Sequence, residues 1–159
     1  MKLNLDVDVL RSHIQKYSKS CVPMGIELVL KLMGKAEKEY YELQDEKGDV
    51  FRGGREYDKK IIKGTMINLK FDIPRGPGFP LTDLFKAIYD ELNAGRYVNC
   101  AWKPEGVANY HAYVIYGYEG DELLAVTKFH NDRNVHYIND MKKKLTDIQG
   151  SDILTFTVV

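Results

Sequence analysis

The sequence predicts an α+β fold, and three observations predict it. Apolar residues recur at helical spacing over 21–34 and 81–92. Two-residue alternation of apolar and polar positions marks 65–73 and most of the chain after 97. Helical patterns fall early and strand patterns late, the segregated order that distinguishes α+β chains from alternating α/β ones.

Taken in order, Leu3 to Leu10 alternates Leu and Val with polar residues and reads as a short strand. Arg11 to Ser20 is polar and turn-like. From Cys21, the residues Val22, Met24, Ile26, Leu28, Val29, Leu32 and Met33 fit a buried helix, with Gly34 as its C-cap. Pro23 falls in the first turn, where a missing N–H costs nothing. Ala36 to Glu46 reads as a second, more solvated helix. Lys47-Gly48-Asp49 and Arg52-Gly53-Gly54-Arg55 read as turns. Thr65 to Ile73 is a strand. Pro74-Arg75-Gly76-Pro77-Gly78-Phe79-Pro80 is a loop, because neither a helix nor an interior strand tolerates it. Leu81 to Leu92 is a helix capped by Thr82 or Asp83 and ended by Asn93-Ala94-Gly95. Tyr97 to Trp102 is a strand and Lys103 to Asn109 a loop. His111 to Tyr118 and Glu122 to Phe129 form a hairpin around Glu119-Gly120-Asp121. Residues 131–134 are turn-like, Met141 to Ile148 is a short helix, and Ile153 to Val159 is a last strand.

The 159 residues are most simply one domain, residues 1–159, with no internal repeat and no interdomain linker. Lys+Arg and Asp+Glu both number 23, so the net charge is zero. Nucleic-acid binding and polybasic membrane anchoring both need a basic excess that this chain lacks. Two cysteines rule out a disulfide scaffold. The first residues lack the apolar core of a signal peptide, and no run reaches the roughly 20 apolar residues of a membrane span. The expected compartment is therefore the reducing cytoplasm, which leaves thiols free.

The chemistry concentrates at two places. Cys21 opens a helix, where the dipole favours a thiolate. His111 opens an apolar strand far downstream. A thiol nucleophile needs those two parts, since a base must take the thiol proton. Gln15 stands six residues before Cys21, in Gln15-Lys16-Tyr17-Ser18-Lys19-Ser20-Cys21.

Three blocks resemble the papain-like cysteine peptidases, more narrowly their small bacterial C39-like branch, the bacteriocin-processing type. They are Gln15 through Gly34, Ile88-Tyr89-Asp90-Glu91-Leu92-Asn93-Ala94-Gly95-Arg96-Tyr97-Val98, and His111-Ala112-Tyr113-Val114-Ile115-Tyr116-Gly117-Tyr118-Glu119-Gly120-Asp121. Residues 35–80 carry little of the likeness. The resemblance implies a papain-like fold, with an N-terminal helix bearing Cys21 packed on an antiparallel sheet bearing His111. It implies a hydrolase acting on a peptide or protein substrate through a thioester, with no cofactor and no metal. Gln15 would donate to the oxyanion beside the Cys21 backbone N–H.

The family orients its histidine with an Asn or Asp on the strand after the Gly-Tyr turn. In the common spacing that residue falls at Thr127 or Lys128, neither of the expected type. Asn131, a few residues further on, is the expected orienting residue, and it needs a bulge or a longer hairpin to reach the ring. Asp132, the Thr127 hydroxyl, or no third residue at all are the alternatives.

Blander readings stand beside these. Cys21 also reads as a buried core thiol and His111 as an ordinary strand histidine; Cys100, in an apolar strand, reads as core. His13, His130 and His136 read as loop or surface residues without metal-ligand spacing. Trp102, Tyr110 and the 74–80 loop are candidate cleft walls. Three function classes remain open: a cysteine peptidase or amidase, an inactive papain-like peptide-binding module, and an acyl or peptidyl transferase using the same pair.

Overall fold

The computed structural model describes residues 1–47 and 53–159. The turns expected at 47–49 and 52–55 fall partly at Gly48, Asp49 and Arg52, outside the described residues. The fold is α+β, built on a seven-stranded antiparallel sheet. Its strands are β1 (Ile61–Ile62), β2 (Thr65–Lys70), β3 (Val98–Trp102), β4 (His111–Glu119), β5 (Glu122–Thr127), β6 (His136–Ile138) and β7 (Ile153–Val158). They lie in the order β1-β2-β7-β3-β4-β5-β6, so the last strand threads between two earlier ones. The helices are α1 (Val7–Ser12), α2 (Cys21–Leu32), α3 (Gly54–Tyr57), α4 (Leu81–Asn93) and α5 (Met141–Asp147).

Strand alternation sends Val114 and Tyr113 to opposite faces, and each face has its own core. Val114, Val126, Leu154 and Phe156 meet Ile26, Leu28, Val29 and Leu30 of α2. Tyr113, Ile115, Val98 and Ile153 meet Leu84, Ile88 and Leu92 of α4 and Met141 and Leu145 of α5. α2 and α4 end in the same way. Gly34 and Gly95 take φ +72° and +84°, and the amides of Lys35 and Arg96 bond to the carbonyls of Leu30 and Glu91, each at 2.9 Å. These are Schellman closures, which require a residue tolerant of positive φ just past the cap. The cap residues are Met33 and Ala94, so Gly34 sits one position beyond the cap.

Several sequence expectations fail, each for a physical reason. The alternating start is not a strand. Asp6 accepts the amides of Asp8 at 3.0 Å and Val9 at 3.2 Å and so opens α1, whose adjacent Val9 and Leu10 are both buried. Residues 36–46 are turns rather than a helix, because tertiary bonds take over their backbone and side chains. The Leu43 amide donates to buried Glu27 at 2.9 Å, and Gln44 donates to both Ile14 O and Glu27. Helix α4 starts at Leu81 with Pro80 at the N-cap and no side-chain cap, so neither Thr82 nor Asp83 serves. Strand β6, three residues long, is too short to show a period.

His13 is fully buried, not a loop or surface residue. Its Nε2–H donates to Met24 O and its Nδ1 accepts from Lys31 Nζ, both at 2.9 Å. Burial, and next the nearby Lys31 ammonium, push His13 down to about 3, so it is neutral in the fold. The unfolded chain takes up this proton near pH 6.5 and the folded chain does not, so stability is full above pH 6.5 and falls with acidification. The loss is up to about 1.4 kcal/mol per pH unit for this one group. Glu27, whose carboxyl burial raises, acts in the opposite sense. Urea midpoints are expected to fall between pH 7 and pH 5, before carboxylate titration dominates. An unchanged midpoint would contradict the buried neutral imidazole.

Candidate functional site

Cys21 occupies the first position of α2. Its predecessor Ser20 is the N-cap by backbone only, since the Ser20 hydroxyl donates to Asp45 O at 2.7 Å instead. His111 occupies the first position of β4, paired with Trp102 of β3. Helix α2 packs across β4, and this brings the two residues to one cavity of about 540 Å³. Asn99, Tyr110, Arg75 and Asp152 complete its wall. Cys21 is 6% exposed, and its thiol donates to the carbonyl of Tyr110, the residue before His111, at 3.7 Å.

The tautomer of His111 follows from its partners. Nε2 lies 2.8 Å from Thr127 Oγ1 and 3.0 Å from Lys128 O. Thr127 spends its own hydrogen on Ala112 O at 2.7 Å. A carbonyl only accepts, so Nε2 carries the hydrogen and Nδ1 keeps its lone pair. The ring also stacks on Phe129, with centroids 4.4 Å apart. Burial pushes His111 down to about 4, opposed by the bond to Lys128 O, so the resting ring is neutral at pH 7.

Lys128 holds these acceptors in place. It is fully buried, and its ammonium donates to Leu10 O at 2.7 Å and Arg133 O at 3.0 Å, tying the end of β5 to α1. Its side chain thus goes to one face while Thr127 goes to the other, toward His111.

Asn131 is not the orienting residue. It sits exposed in the following turn at φ +61°, while Thr127 and Lys128 O take the ring N–H. The reason is register. The hairpin does carry a bulge, but the extra residue is Tyr116 on β4, between the pairs Ile115↔Ala125 and Gly117↔Leu124. Only an insertion on β5 would bring residue 131 opposite residue 111. Continuing the Val114↔Val126 register sets His111 opposite Phe129, with Thr127 its diagonal neighbour on the same face. Asp132 instead pairs with His136 at 2.7 Å.

Gln15 is also placed away from the expected role. Its Nε2 donates to Tyr17 O at 2.9 Å and Ser18 O at 3.3 Å, which uses both amide hydrogens, and it does not line the cavity. Its Oε1 is buried with no hydrogen-bond partner. The glutamine shapes the loop before α2.

Cys100 is buried and its thiol is pushed far up by desolvation, so it is inert as a nucleophile. Nothing in the sequence pattern marks Asn99. It is 4% exposed, neither amide atom has a hydrogen-bond partner, and a Cβ at Gly25 would come within 2.9 Å of its nitrogen. Tyr110 does wall the cavity, and so does Arg75 of the Pro/Gly loop, whereas Trp102 turns to Tyr113 and Lys144.

Among the described residues, no group of three or more His, Cys, Asp or Glu could hold a metal ion. No helix among them is long and apolar enough to cross a membrane. No family model matches the chain, and no curated protein matches it.

Proposed function

We propose that the protein is a papain-like, C39-like cysteine peptidase or amidase, with Cys21 as nucleophile and His111 as base. The observation that carries this reading is the shared cavity: a helix-start cysteine and a strand-start histidine line it together, and the histidine's Nε2 is held as a donor.

In this mechanism the resting pair is neutral. Cys21 Sγ attacks the amide carbonyl as its proton passes to His111 Nδ1. The imidazolium that forms is stabilised by Lys128 O, the contact that raises the basicity of the ring. The Cys21 backbone N–H, at the start of α2, donates to the oxyanion. The protonated His111 then gives its proton to the departing amine, the C–N bond breaks, and a thioester remains. Water, deprotonated by His111, attacks the thioester. The acid is released and the thiol reforms.

The test is alkylation of native protein by iodoacetamide, followed by intact mass from pH 5 to 9. Reaction confined to Cys21, slowed at least tenfold by His111→Ala, supports the reading. Reaction at an ordinary thiol rate, indifferent to His111, would overturn it. The position of Gln15, withdrawn from the cavity, favours a second reading, a binding module that has the fold without turnover. That reading expects peptide binding with an unreactive Cys21.

The same reading sets the effects of the orienting residues. Thr127→Val removes one of two acceptors and is expected to lower kcat about tenfold, because Lys128 O still holds the ring. Asn131→Ala is expected to change kcat less than twofold. A larger loss from Asn131→Ala than from Thr127→Val in a peptide-hydrolysis assay would contradict this assignment.

A further inference from the structure

From Arg75 we infer a carboxylate-binding subsite in the Cys21 cavity, so that the ligand is an acidic peptide or acyl group; the inference deepens the reading above and rests on it. Arg75 is a built feature rather than a surface charge. Its side chain is 22% exposed. Nε donates to Gly150 O at 3.0 Å and Nη2 to Ala101 O at 3.2 Å, and the guanidinium lies 3.9 Å over the Tyr110 ring. Stacking on an aromatic face and two carbonyl anchors fix the plane of the group before any ligand arrives, which lowers the ordering cost of binding.

Two of the five guanidinium hydrogens are used in this way. The other three have no hydrogen-bond acceptor among the described residues. Asp152 is the nearest carboxylate, at 3.8 Å, too long for a hydrogen bond. Desolvation raises the Asp152 carboxyl, with the Arg75 ion pair opposing. Lys19 lines the same cavity, and Lys103 lies 5.4 Å from the Tyr110 ring centre. The cavity lining carries two cations, Lys19 and Arg75, against one carboxylate, Asp152, and a planar carboxylate fits a guanidinium with donors remaining.

The subsite is adjacent to the chemistry. Tyr110 carries Arg75 on its ring, while its carbonyl touches the Cys21 thiol and its chain continues into His111. A carboxylate on Arg75 would set the rest of the ligand beside Cys21.

Two alkylating probes read the local charge. Iodoacetate and iodoacetamide differ by a carboxylate against a carboxamide, and the ratio of their rates at Cys21 is normalised to glutathione. The ratio is expected to exceed that of glutathione at least fivefold in wild type. It should fall to the glutathione value in Arg75→Gln. The same ratio in both proteins would overturn the inference, whatever the absolute rate. A second arm does not depend on thiol reactivity: thermal shift of Cys21→Ala with N-acetylglutamate or N-acetylglutamine. A shift with the acid alone, lost in Arg75→Gln, supports the subsite even if Cys21 proves inert. No difference between the two ligands overturns it even if Cys21 proves reactive.

Discussion

Replacing His111 with alanine is expected to lower kcat/KM for peptide hydrolysis by about 10²–10⁴, the range of a positioned general base. Cys21→Ala should abolish turnover by the thioester route, and the double variant should be no worse than Cys21→Ala alone, because the two side chains act as one unit. The structure adds a pH signature. His111 is neutral down to about pH 4, so the acid limb of the rate profile should not appear near pH 6.5, where an exposed histidine would place it. Activity that stays measurable at pH 5 fits a thiol–imidazole resting pair. An acid limb centred near pH 6.5 would mean that His111 charges freely, contrary to its burial.

The second large effect is on stability, at Gly150. This glycine has φ +130°, and a Cβ there would lie 2.5 Å from the Phe79 ring, itself nearly buried. Gly150→Ala combines backbone strain of about 1–3 kcal/mol with overpacking of about 1–3 kcal/mol. A loss of about 3–5 kcal/mol is expected in urea unfolding. Gly34→Ala and Gly95→Ala also have positive φ but meet nothing within 4 Å. They should cost only the backbone strain, at the low end near about 1 kcal/mol. Similar losses in all three variants would show that φ alone, and not the Phe79 contact, sets the cost.

The long periodic elements were legible in the sequence. Helices α2 and α4 show a 3.6-residue period with glycine just past each end, and the β4–β5 hairpin shows alternation around Gly120. The first ten residues were not, because Leu3, Leu5, Val7 and Val9 satisfy a two-residue period while Asp6 caps a helix. Residues 36–46 were not either, because their conformation is set by Glu27, Ile14 and Lys16, which are remote in sequence.

The same contrast holds at the site. Cys21 and His111 stand at element starts, which pattern reveals, and the cavity brings them together. The orienting group was hidden because one acceptor is a main-chain carbonyl, which no side-chain type announces. Its strand end is fixed by Lys128, whose buried ammonium reads in sequence as a surface charge. Residue type favours Asn131, whereas hairpin register sets Thr127 against the His111 ring. Arg75 was obscured inside a loop that proline and glycine dominate.

The extra residue at Tyr116 has a practical consequence for anyone altering this molecule. It interrupts the ladder between the Gly120-Asp121 turn and the cavity end of β4, and below it the strand is registered by β3, down to the Trp102↔His111 pair. A change in turn length therefore meets a break in pairing before it reaches His111. The hairpin tip is the natural place to graft a fluorophore or an epitope, because the backbone of His111 takes its register from β3.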